Sequence, residues 1–189
     1  GIEVAGWRDV PRDLDALGPQ ARETAPLIEQ AILVPPVGAD DELERRAFRA
    51  RKRIEQLGGP YVASLSFRTV TYKALCAADH LAEFYLDLAD PHFDARFGIF
   101  HQRFSTNTEP SWERAQPFRL LCHNGEINAI EGNVNWMRAR EGRLGSEDDA
   151  LLRPVVDEAG SDSTMLDNAI ELVVRNGRDV RHALAMFVP

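Results

Sequence analysis

A layered α+β fold is what this sequence predicts, on three observations. Apolar residues recur with helical spacing over 41–57, 127–137 and 166–173. β-branched and aromatic residues crowd 61–73. Short apolar runs at Phe97–His101 and Phe118–His123 are bounded by polar loops, the pattern of strands covered on both faces. Strands that lead through loops into helices pack as layers over a shared core.

Taken in chain order, residues 1–40 carry turn signals such as Leu17-Gly18-Pro19 and read as short elements in an irregular wrap. Ile32-Leu33-Val34, ahead of Pro35-Pro36, reads as a short strand. Leu43, Ala47, Ala50, Ile54 and Leu57 fall on one helical face, with Asp40 or Asp41 as cap and Gly58-Gly59-Pro60 as stop. Val62, Phe67, Thr69, Val70, Thr71 and Tyr72 predict one or two strands. His80–Leu88 reads as a short helix stopped by Asp90-Pro91. Ile127, Ile130, Val134 and Met137 mark another helical face. Leu166, Ala169, Ile170 and Val173 mark a further one, closed by Asn176-Gly177, and Val180–Phe187 predicts a last helix.

Composition narrows the function. The chain has 189 residues, the size of one domain or most of one, and is 44% hydrophobic and 28% charged. A net charge of −8 argues against a nucleic-acid partner. No apolar run approaches the roughly 20 residues that span a bilayer, so no membrane association is expected. The two cysteines, Cys76 and Cys122, lack Cys-x-x-Cys spacing. That predicts no metal centre in this chain and fits a reducing cytoplasm. The chain opens Gly1-Ile2-Glu3 with neither Met nor a signal segment, and stops at Phe187-Val188-Pro189 after an apolar periodic run. Both ends read as cut.

Three polar clusters follow apolar segments, where loops bring side chains to the edge of a sheet. They are His101-Gln102-Arg103-Phe104-Ser105-Thr106-Asn107-Thr108, His123-Asn124-Gly125-Glu126-Ile127-Asn128 and Gly160-Ser161-Asp162-Ser163. Singly, each has a plain structural role. Arg103 suits a surface ion pair, Asn124-Gly125 a turn, Ser161 or Asp162 a helix cap, and His101 and His123 buried hydrogen bonds. Together they offer a guanidinium for a carboxylate, a carboxylate for an ammonium, and an amide with a backbone N–H for an oxyanion. An amino acid with a reacting side-chain amide needs that set.

The stretch His101–Glu141 carries Ser111-Trp112, Ala115-Gln116-Pro117-Phe118-Arg119 and Gly132-Asn133-Val134-Asn135-Trp136-Met137-Arg138-Ala139-Arg140. It resembles the glutaminase, or class II glutamine amidotransferase, domain of glutamate synthases. Gly6-Trp7-Arg8-Asp9-Val10-Pro11, Ala50-Arg51-Lys52-Arg53-Ile54-Glu55, Ser161-Asp162-Ser163 and Leu166-Asp167-Asn168 are similar to the same family, so the resemblance covers 1–189 as a partial domain. Ala129 stands where the family usually has threonine, a change expected to alter local packing only.

The resemblance implies an N-terminal-nucleophile fold, a four-layer α/β/β/α sandwich. It implies an amino-terminal cysteine that attacks the glutamine side-chain amide, with its own α-amino group as base. The ammonia then travels to a distant flavin site and is used with 2-oxoglutarate. By motif match, Arg103 would hold the glutamine α-carboxylate, Asp162 its α-ammonium, and Thr106 would help seat it. The Asn124 side chain and the Gly125 N–H would form the oxyanion hole. FMN and an iron–sulfur cluster are expected on later domains and no cofactor in this chain. The implied partners are L-glutamine, the remaining domains of the enzyme and an electron-donating subunit. The implied location is cytoplasmic, or a plastid in a plant or alga.

One departure counts for more. Gly1-Ile2-Glu3 does not match the family's Cys-Gly start, and Gly6-Trp7-Arg8 lies well inside the family's domain. The expectation is an incomplete sandwich, without its leading strands and nucleophile, and inactive alone. Cys122 is expected to pack rather than react. An alternative is a non-catalytic amino-acid-binding or scaffold protein of the same fold. Another is a different class II amidotransferase, against which the Trp136-Met137-Arg138-Ala139-Arg140 run argues.

Overall fold

The computed structural model describes residues 2–35, 40–102, 109–124, 127–144 and 152–188. Strand β1 (Glu3–Asp9) and strand β2 (Glu29–Val34) pair antiparallel, with Trp7 opposite Ala31 and Asp9 opposite Glu29. The register shifts between Val4 and Gly6, where an extra residue bulges. A 3-10 turn at Leu14–Ala16 and the short helix α1 (Pro19–Glu23), with proline at its first position, connect the two strands. The expected strand at Ile32–Val34 is therefore the end of a longer one, and its partner lies in the segment read as irregular.

Helix α2 (Asp41–Gln56) forms over the expected span, but its buried face is rotated from the expected one: Leu43 and Ala47 are buried with Glu44, Phe48 and Arg51, while Ala50 and Leu57 are exposed. The Asp40 carboxylate caps it by accepting the Leu43 N–H at 2.8 Å. In place of one helix at His80–Leu88, two 3-10 turns (Ala78–His80 and Leu86–Ala89) flank the single-turn helix α3 (Leu81–Phe84). Helix α4 (Ile130–Glu141) begins three residues after Ile127, whose carbonyl accepts the Ile130 N–H in the preceding turn. Helix α5 (Asp162–Arg175) is capped by Ser161 and closed at Asn176-Gly177, where Gly177 takes φ +91°, a conformation costly for other residues. Helix α6 (Val180–Met186) ends the described chain.

Phe48 of α2, Val134 and Met137 of α4, and Ala169 and Leu172 of α5 build one core with Leu152, Val155 and Val156. Ile170 and Val173 turn to Ala183 of α6 and to Leu120 and Leu121. A separate aromatic core lies under the β1–β2 pair's continuation, where Phe84, Tyr85, Tyr72 and Trp112 meet edge-on or tilted.

The strands expected at 61–73, Phe97–His101 and Phe118–His123 are not formed among the described residues. Phe97 and Phe100 are 80% and 77% exposed, so that apolar run is not a covered strand. In the other run, the amides of Arg119, Leu120 and Leu121 go to a carboxylate rather than to a neighbouring strand. At 61–73, Ser64 and Ser66 hydroxyls take the amides of Thr71, Arg68 and Thr69, and the chain turns back on itself. The α+β class stands, with one two-stranded sheet among the described residues.

Candidate functional site

Helix α5 organises the candidate site. Gly160 packs against the first turn so closely that a Cβ there would lie 2.8 Å from Thr164 Cγ2 and 3.1 Å from the Asp157 carbonyl. A side chain at that position would have to push the Thr164 side chain aside. Ser161 Oγ then accepts the Thr164 N–H at 3.2 Å. Asp162 occupies the first helical position, where a carboxylate complements the positive end of the helix. Its Oδ2 accepts the Ile127 N–H at 3.2 Å. The second and third polar clusters therefore meet at this helix end, although 35 residues separate the two partners.

Asp167, about 7.5 Å farther along the helix axis, holds the start of the same loop. It is fully buried. Its Oδ1 accepts the N–H groups of Leu120 at 2.8 Å and Leu121 at 3.2 Å, and its Oδ2 accepts that of Arg119 at 3.3 Å. Burial pushes this carboxyl up, while the Leu120 amide, the Arg119 charge and the other two amides oppose that shift.

His123 and Asn124 lie between the two anchors. The Gln116 Nε2 donates to the His123 carbonyl at 2.8 Å, and the His123 N–H donates to Gln116 Oε1 at 2.7 Å. One side-chain amide thus makes the pair of bonds that a neighbouring strand would make. Asn124 follows and is exposed. Cys122 is half-buried and its thiol donates to the Phe100 carbonyl at 3.4 Å. A cleft of about 460 Å³ lies beside Gln116, lined also by Tyr72, Cys76, Phe100, His101 and Gln102 among others. Gln116 thus faces the cleft and braces His123, the residue before Asn124.

The loop is also fixed to α2. Arg119 Nη2 donates to Glu55 Oε1 at 3.1 Å and to the Val62 carbonyl at 2.7 Å. Arg51 bridges Glu55, at 2.5 Å, and the buried Glu171 of α5. Burial pushes the Glu171 carboxyl up, and Arg51 and Arg119 pull against that. Lys73 supports the next layer: Nζ donates to the Tyr61 hydroxyl at 2.7 Å and the Glu113 carbonyl at 2.5 Å, with the Phe118 ring centroid 5.1 Å away. Burial, reinforced by Arg119, lowers this lysine to about 7.

Of the residues predicted from sequence, Asn124 and Asp162 are described, and the Ile127 contact puts their motifs side by side. Arg103, Thr106 and Gly125 lie outside the described residues. Asp167, Gln116 and Lys73 were not singled out as site residues. The signal for Asp167 was an acid set beside the apolar positions Leu166 and Ile170. Gln116 and Lys73 carried none: Gln116 acts on the backbone of His123, seven residues on, and Lys73 on the Glu113 carbonyl, 40 residues on, contacts that no local periodicity signals.

Residues 1–189 match the family described as glutamine amidotransferases class-II, and the chain belongs to that family. It is 48% identical over 197 residues to ferredoxin-dependent glutamate synthase 2 of Synechocystis sp.. It is 44% identical over 202 residues to the NADPH glutamate synthase large chain of Azospirillum brasilense, and equally so to the chloroplastic ferredoxin-dependent glutamate synthase of Oryza sativa subsp. japonica. Each match takes in 100% of this chain and 12–13% of the relative, so the chain spans about an eighth of those proteins' length. Among the described residues no helix is long and apolar enough to cross a membrane, and no cluster of His, Cys, Asp and Glu is arranged to hold a metal ion.

Proposed function

We propose that this chain is the glutamine-recognising part of a glutaminase domain, in an enzyme that passes the released ammonia to 2-oxoglutarate. The observation that carries the reading is the Asp162–Ile127 contact. It sets a carboxylate at a helix end beside the loop bearing Asn124, as binding an α-ammonium next to a reacting amide requires. In this reading Asp162 holds the α-ammonium, Arg103 the α-carboxylate, and Thr106 seats the substrate. The Asn124 side chain and Gly125 N–H receive the oxyanion as the amide carbon becomes tetrahedral.

In this reading the attacking cysteine and its amine are those of the amino-terminal residue of the family's domain. The described helices and the two-stranded sheet would be part of the four-layer sandwich, with 1–189 a single partial domain. FMN and an iron–sulfur cluster would sit in other parts of the larger enzyme. The two cysteines here do not fit a cluster: Cys122 is engaged with Phe100 and the Cys76 thiol is pushed up by burial. The partners proposed are L-glutamine, the remaining domains and an electron-donating subunit, in the cytoplasm or a plastid. Steady-state glutamine hydrolysis by the complete polypeptide tests the reading. Arg103→Ala should raise KM for L-glutamine with little change in kcat, and an unchanged KM would contradict it.

A further inference from the structure

We propose that Asp167 is the positioning residue for the segment that carries Asn124, so that one helix, α5, sets the geometry between the ammonium site and the oxyanion donor. The proposal rests on the reading of Asn124 given above and goes beyond it. The segment from Arg119 to Ile127 touches α5 through two carboxylates. Asp167 takes three consecutive amides at its start, and Asp162 takes the Ile127 amide at its end. Five residues of helix separate the two acids, a rigid spacing of about 7.5 Å. Asn124 stands between the anchors and is itself exposed, so its position is set by the backbone on either side of it, which Asp167, the Gln116 clamp on His123 and Asp162 hold.

A carboxylate suits this task for a specific reason. Three N–H groups converge on its two oxygens, so both oxygens serve as acceptors, whereas an amide would present a donor to one of those N–H groups. Leu120 and Leu121, half-buried themselves, pack against the cluster of Ile170 and Val173 beside the fully buried Asp167, which restricts the solvent that could replace the carboxylate. Arg119 ties the same residues to Glu55, which limits how far the loop can drift when Asp167 is altered. The expected fault is therefore a small displacement of Asn124, and an oxyanion donor is sensitive to displacements well under 1 Å.

The test is Asp167→Asn in the complete polypeptide, read by glutamine kinetics and by amide hydrogen exchange. The expected result is a roughly 10-fold loss of kcat, a KM for L-glutamine within about twofold, and faster exchange at Leu120 and Leu121 while Ile170 and Val173 keep their protection. An ester in place of the Leu121 amide removes one of the three donors and leaves Asp167 intact; it should give a smaller loss of the same kind, and it serves if the Asn variant does not fold. Unchanged kcat with freed loop amides would overturn the proposal. So would a loss of kcat matched by equal exchange along α5, since that is general loosening. The underlying reading fails by another result: Asn124→Ala with turnover intact.

Discussion

Glu44 of α2 and Arg175 at the end of α5 meet at 2.7 Å, with their side chains 3% and 13% exposed. The same carboxylate accepts the Ser66 hydroxyl at 2.9 Å and the Phe67 N–H at 2.7 Å. One acid therefore joins the two long helices and fixes the segment that leads towards Lys73.

Glu44→Ala leaves the Arg175 guanidinium, the Ser66 hydroxyl and the Phe67 amide without that acceptor. Removing one partner of a buried pair costs about 3 kcal/mol or more. Denaturant unfolding should show a loss of that order. A loss under about 0.5 kcal/mol, typical of exposed pairs, would show that the pair is solvated.

Lys73 gives stability a pH dependence of defined sign. Its folded value is lowered from 10.5 to about 7, so between those values the unfolded chain binds more protons. This group's contribution to stability therefore rises with pH from about 7 to about 10.5 and is flat below that window. Lys73→Met should flatten the difference between neutral and alkaline pH in paired unfolding curves. Arg119, Asp167 and Glu113 act on this site and are unchanged by the substitution. Parallel wild-type and variant curves across the window would contradict the assignment.

Asn124 is expected to act on rate. The amide oxygen becomes strongly negative only as the tetrahedral intermediate forms, so Asn124→Ala should lower kcat by roughly 10²–10³ with KM little changed. Thermal melts must accompany the kinetics, because a collapsed turn would mimic the defect. Unchanged kcat with a raised KM would reassign Asn124 to substrate binding.

A polypeptide of residues 1–189 alone should not release ammonia from glutamine. The thiol nearest the proposed oxyanion donor, Cys122, is half-buried and donates to the Phe100 carbonyl. Ammonia release above a buffer control, abolished by Cys122→Ser, would show that this thiol reacts.

The long helices were legible, the stretch His80–Leu88 broke into 3-10 turns around α3, and the strands largely were not legible, for a physical reason. Helical periodicity is local: Leu43, Ala47 and Ile54 declare a face whatever packs on it, and Asp40 and Ser161 cap where their types predict. The Phe118–His123 run looks like a buried strand because its side chains are apolar, but its amides are taken by Asp167, 46 to 48 residues later. Period-2 patterning says nothing of such a partner. The site was legible as residue types, Asn124 and Asp162 among them, since their chemistry suits one ligand. Its supports were not: Gln116 reaches His123 by mimicking a strand, and Lys73 finds Tyr61 and Glu113 only once the chain is folded.

Asp162→Asn provides the most direct measurement of the central claim. Asparagine keeps an oxygen to accept the Ile127 N–H, so the loop anchor survives while the charge facing the α-ammonium is lost. Hydrolysis of L-glutamine should be compared with that of its analogue lacking the α-amino group, in wild-type and variant complete polypeptides. A charge-assisted contact is worth roughly 1.5–3 kcal/mol, so the wild type should favour glutamine over the analogue by about 10- to 100-fold in kcat/KM, and the variant should lose most of that preference. If Asp162→Asn keeps the full preference for the α-amino group, Asp162 does not bind the ammonium, and the reading of α5 as the glutamine-recognising helix is wrong.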